Sequence, residues 1–77
     1  MLPLPVIKPC QVIEALKKVG FSIHHQTGSH VRMLHKTKPE LRLTIPSHNK
    51  DIPKGTLANI LRLVNITIEE FINYLKN

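Results

Sequence analysis

The sequence predicts a small α+β domain in which helices cover one face of a three-stranded antiparallel sheet, in the order α-β-β-β-α(-α). Three observations carry that reading. Apolar residues recur at helical spacing in three segments: Val12, Ile13, Leu16 and Val19, then Leu57, Ile60, Leu61 and Val64, then Ile68, Phe71, Ile72 and Leu75. Between the first and second segments, apolar and polar residues alternate with the period of a strand. Turn-forming groups interrupt the alternation at Thr27-Gly28-Ser29 and at Thr37-Lys38-Pro39-Glu40. A chain of 77 residues makes one domain, residues 1–77, with a core from about residue 7 to residue 75.

Each element has its own signals. The first helix is expected from Pro9 to Val19, with Pro9 suited to its first turn and Gly20 to its end. Phe21 to Gln26 then reads as a strand. A three-residue loop pairs Gln26 with His30, His24 with Arg32 and Ile23 with Met33. In that register Phe21, Ile23, Val31 and Met33 share one face, while His24, Gln26, His30 and Arg32 share the other. His25 and His35 fall on the apolar face near its edges, as packing or partly exposed residues. The third strand, Leu41 to Pro46, turns Leu41, Leu43 and Ile45 inward and Arg42 and Thr44 outward. After a loop from Ser47 to Ile52, two short helices close the domain. The second begins with a capping box, Thr67 with Glu70 three residues on, and Ile66 can staple onto Phe71.

Composition narrows the function. Hydrophobic residues make up 42% of the chain, enough for a packed core and too many for a disordered one. Cys10 is the only cysteine, so an internal disulfide and a cysteine metal cage are both excluded, and a reducing cytoplasm suits the chain. The apolar start, Met1 to Val6, is short and broken by prolines, so neither a signal peptide nor a membrane span is expected. The formal net charge is +6, and from Lys8 to Arg62 ten basic residues stand against three acids. A field of that sign attracts a polyanion, so a nucleic acid is a natural partner.

Gly28-Ser29-His30 is the most informative tripeptide. A turn glycine can take positive φ and a serine can bond its own backbone, so the residue that follows leaves the bend at a set angle. Here that residue is an imidazole, at the head of a strand carrying Arg32. A positioned histidine on a basic surface suggests chemistry on a phosphodiester. The five histidines show no zinc-motif spacing and carboxylates are sparse, so no metal is expected. Lys54-Gly55-Thr56, at a helix start, could hold a phosphate through backbone N–H groups.

These residues also carry a family resemblance. Gly20-Phe21, Gly28-Ser29-His30, Ile45-Pro46-Ser47-His48, Lys54-Gly55-Thr56-Leu57 with Ile60-Leu61, and Ile68-Glu69-Glu70-Phe71 occur in that order and spacing. The pattern, from about Ile7 to Leu75, resembles the HicA (YcfA-like) mRNA interferases, the toxins of bacterial toxin–antitoxin pairs. The resemblance implies a fold like a double-stranded RNA-binding domain. It also implies an endoribonuclease acting on messenger RNA, with His30 as the catalytic residue and no cofactor. His30 would then act as the base on a ribose 2′-OH. Arg32 and Arg42 would stabilise the charged phosphorane, with Ser29 and the Gly28 backbone placing His30 or donating to phosphate. Lys54 joins the RNA contacts, and His24 and His48 are the candidates for a second imidazole. A HicB-like antitoxin covering the basic sheet face is the implied protein partner. The competing reading is a non-catalytic RNA-binding module that uses the same fold and charge to grip A-form RNA by shape.

Overall fold

The computed structural model describes residues 6–47 and 51–76, so the expectation for His48 lies outside the described residues. Helix α1 spans Pro9–Val19, strands β1, β2 and β3 span Phe21–Gln26, His30–His35 and Arg42–Pro46, and helices α2 and α3 span Lys54–Val64 and Ile68–Lys76. The fold is therefore α+β in the expected order, and the elements begin and end within a residue of where the sequence signals put them.

Local chemistry explains the boundaries. Pro9 is buried at the start of α1, where its missing N–H is no loss, and the Lys8 N–H donates to Gln11 Oε1 at 2.8 Å. Gly20 ends that helix at φ 120°, a conformation that a side chain resists. Asn65 does the same for α2 at φ 58°, in the left-handed region that asparagine tolerates. The capping box of α3 is reciprocal: Thr67 N–H donates to Glu70 Oε1 at 2.8 Å, and Glu70 N–H donates to Thr67 Oγ1 at 3.0 Å.

The sheet order is β1-β2-β3, with both pairings antiparallel and β2 central. One face packs on the helices. Val31 and Met33 from β2 and Leu43 and Ile45 from β3 are buried there against Val12, Leu16, Leu57 and Phe71. Helices cover only this side, so the other side presents His30, Arg32, Arg42 and Thr44 outward. Ile23 is on the packed face as expected, yet β1 is an edge strand and leaves it 40% exposed.

The β1–β2 register departs from a simple hairpin. Phe21 pairs with His35 and Ile23 with Met33 as expected, but beyond them His25 pairs with Arg32 and Gln26 with Val31. His24 is the extra residue of a β-bulge. The expected His24–Arg32 and Gln26–His30 pairs are thus replaced, and His25 moves from the packed face to the open one. The cause is that nothing apolar follows Ile23 in this strand, so no burial term opposes the one-residue shift.

Candidate functional site

The β1–β2 loop sets His30, and Thr27 organises that loop. Thr27 N–H donates to the His30 carbonyl at 2.8 Å, closing the hairpin. Thr27 Oγ1 accepts the His30 N–H at 3.0 Å and the Ser29 N–H at 3.4 Å, so one hydroxyl collects two backbone donors of the bend. Gly28 is not in the left-handed region, and a Cβ built on it meets nothing within 4 Å. The expectation that positive φ at Gly28 makes the turn is corrected: the Thr27 side chain does that work.

Ser29 fixes the imidazole itself. Its Oγ lies 2.9 Å from His30 Nδ1, and its carbonyl accepts the Ser47 N–H at 2.7 Å just past the end of β3. The loop is thereby tied to the far strand, and His30 stands opposite Pro46 in the β2–β3 ladder. An imidazole at the edge of a hairpin thus becomes part of a braced corner.

Two shallow depressions lie side by side on the open sheet face. One, of about 370 Å³, is lined by His25, Thr27, His30, Arg32 and Thr44. The other, of about 420 Å³, is lined by His24, Arg32, Leu34, Pro39, Arg42 and Thr44 together with Met33 and Leu43. Arg32 and Thr44 form the shared wall, since they face one another across β2 and β3. Neither depression has a carboxylate in its lining. Three of the five acids are engaged elsewhere: Glu14 pairs with Lys17 at 3.1 Å, Asp51 with Lys8 at 3.3 Å, and Glu70 caps α3. With no carboxylate in either lining, an anion docked there meets guanidinium groups on two strands.

Of the residues singled out by sequence, His30, Arg32 and Arg42 share this open face, His30 with Arg32 in one depression and Arg42 with Arg32 in the other, while Ser29 holds His30 from the loop. His24 sits in the neighbouring depression, not in that of His30. Lys54 is exposed at the start of α2 and lines neither depression. Sequence reasoning missed Thr27 and His25. The Thr-x-x-His spacing, an acceptor hydroxyl three residues before the imidazole, was the available signal for the first; the second needed the bulge. His35 has a structural role. Its Nδ1 accepts from the Thr37 and Lys38 N–H groups, both at 3.2 Å, and its ring meets Phe21 edge-on at 5.0 Å. Among the described residues no three His, Cys, Asp or Glu side chains are grouped so as to hold a metal ion. No helix among them is long and apolar enough to cross a membrane.

A braced imidazole beside Arg32, with Arg42 in the adjoining depression, can bind a phosphate and exchange a proton with it. No curated protein matches the chain. A family model does, that of the HicA toxin of bacterial toxin–antitoxin pairs, over residues 10–66, from α1 through the whole sheet to the end of α2. The match takes in most of the chain and every residue of the His30 corner, and on that ground the chain belongs to the HicA toxin family, as a toxin whose partner is an antitoxin.

Proposed function

We propose that this toxin is an endoribonuclease that cuts messenger RNA without a metal ion, with His30 as the general base. One observation carries the reading: Ser29 Oγ sits 2.9 Å from His30 Nδ1 in a depression walled by Arg32. With Nδ1–H donating to Ser29, Nε2 holds the lone pair and takes the proton of a ribose 2′-OH. The 2′-oxygen attacks the adjacent phosphorus, the bond to the 5′-oxygen breaks, and a 2′,3′-cyclic phosphate is left. Proton transfer of this kind contributes roughly 10²- to 10⁴-fold. Arg32 and Arg42 offset the charge that gathers on the phosphorane, where preorganised donors contribute most. Gly28, with open space above it, lets a phosphate approach the loop backbone closely. Lys54 extends the RNA contact from the start of α2. The antitoxin, a HicB-like protein, silences the toxin by laying carboxylates over the same basic face.

The test is incubation of purified protein with a single-stranded message in EDTA. The expected products end in a 2′,3′-cyclic phosphate or its opened form, and His30→Ala makes none while binding RNA as before. Loss of binding together with cleavage in His30→Ala would favour the non-catalytic RNA-binding module instead.

A further inference from the structure

Cleavage by a 2′-hydroxyl leaves a 5′-oxygen that must acquire a proton, and an in-line displacement puts the donor across the phosphorus from the base. The geometry points to His25 as that donor, the general acid partnered with His30. The inference rests on the ribonuclease reading and adds a second catalytic residue to it.

The β-bulge carries the argument. In the uninterrupted hairpin register His25 would face the helices. The extra residue at His24 shifts the pairing so that His25 stands opposite Arg32, whose side chain is on the open face. His30 lies two residues before Arg32 on the same strand and so shares that face. His25 and His30 are thus diagonal neighbours across the β1–β2 pair. Diagonal positions lie about 7–8 Å apart. Imidazoles at that spacing can flank a single phosphate, one on the attacking side and one on the leaving side. Both residues line the same depression, together with Thr27, Arg32 and Thr44.

The other two imidazoles among the described residues, His24 and His35, are placed differently. His24 opens into the adjoining depression, beyond Arg32 and toward Arg42 and Pro39. His35 accepts backbone N–H groups of the β2–β3 turn and packs edge-on against Phe21. Bulges interrupt ladder hydrogen bonds, and this one is on an edge strand, where the interruption is cheapest. Its consequence here is to bring a second imidazole to the face that already holds the first. The step balances: His30 Nε2 takes the 2′-OH proton, the phosphorus–O5′ bond breaks, and the His25 imidazolium gives its proton to O5′. The protein ends with the proton on His30 in place of His25.

The decisive experiment uses two RNA substrates, one natural and one with sulfur in place of the bridging 5′-oxygen at the cleavage site. A thiolate leaves without being protonated, so the sulfur substrate needs no acid. His25→Ala and His25→Gln are expected to lose roughly 10²- to 10⁴-fold in kcat on natural RNA, to bind RNA unchanged, and to lose under about tenfold on the sulfur substrate. His30→Ala loses both substrates. The inference is overturned if either His25 variant cuts natural RNA within about threefold of the wild-type rate, or loses the two substrates equally. A wild-type protein that cuts neither substrate overturns the ribonuclease reading itself.

Discussion

Replacing Gly20 by alanine tests the fold at the point where α1 hands over to the sheet. Gly20 has φ 120°, and a Cβ there would lie 2.8 Å from His35 Nε2 and 3.3 Å from Cε1. Two costs follow. An L-residue held in such a conformation pays about 1–3 kcal/mol. The contact adds an overpacking cost of about 1–3 kcal/mol, because the ring cannot swing aside freely. His35 Nδ1 accepts two turn N–H groups and its ring packs on Phe21, so moving it disturbs the β2–β3 turn and the core together. Alanine recovers only about 0.4–1 kcal/mol by stiffening the unfolded chain. The net loss is about 2–5 kcal/mol, against a total stability of roughly 4–11 kcal/mol for a domain of this size. Thermal unfolding followed by circular dichroism should show Tm falling by roughly 10–30 °C. In a His35→Ala background the contact is gone, and the net Gly20→Ala cost should shrink to the backbone part less the same recovery, about 0.5–2 kcal/mol. A Gly20→Ala protein within about 0.5 kcal/mol of wild type would refute the argument, and equal costs in both backgrounds would refute its steric half.

Three further outcomes are expected. Thr27→Val removes the hydroxyl that gathers the Ser29 and His30 N–H groups; on this exposed loop stability should fall by only about 0.5–1.5 kcal/mol, while kcat falls on the order of 10²-fold as His30 loses its angle, and Thr27→Ser should restore most of it. Arg42→Gln should weaken RNA binding and reduce the slope of log affinity against log salt by about one contact, measured by fluorescence anisotropy across a salt series. Arg32→Glu should weaken antitoxin binding and slow its association at low salt; unchanged association in a stopped-flow binding series would place the antitoxin on another surface.

The elements of this protein were legible in its sequence because each is specified locally. The apolar stripes of α1, α2 and α3, the Gly20 stop and the Thr67–Glu70 capping box all act within a turn or two of chain, and each occurs where the residue pattern puts it. The facing of β2 and β3 was equally legible, since Val31, Met33, Leu43 and Ile45 are all buried in the observed alignment and a one-residue slip would turn one pair outward. That alignment turns His30, Arg32, Arg42 and Thr44 outward together, and so the positive face followed from the pattern. What the tertiary structure decided lies where apolar patterning stops. From His24 to Gln26 every side chain is polar, so burial is indifferent to register, and the pairing with β2 inserts a bulge that local sequence does not mark. The bend before His30 has the same character. Glycine suggested the turn, yet its geometry comes from the Thr27 hydroxyl and from the Ser47–Ser29 bond to a strand end eighteen residues away, a contact that exists only once the sheet has formed.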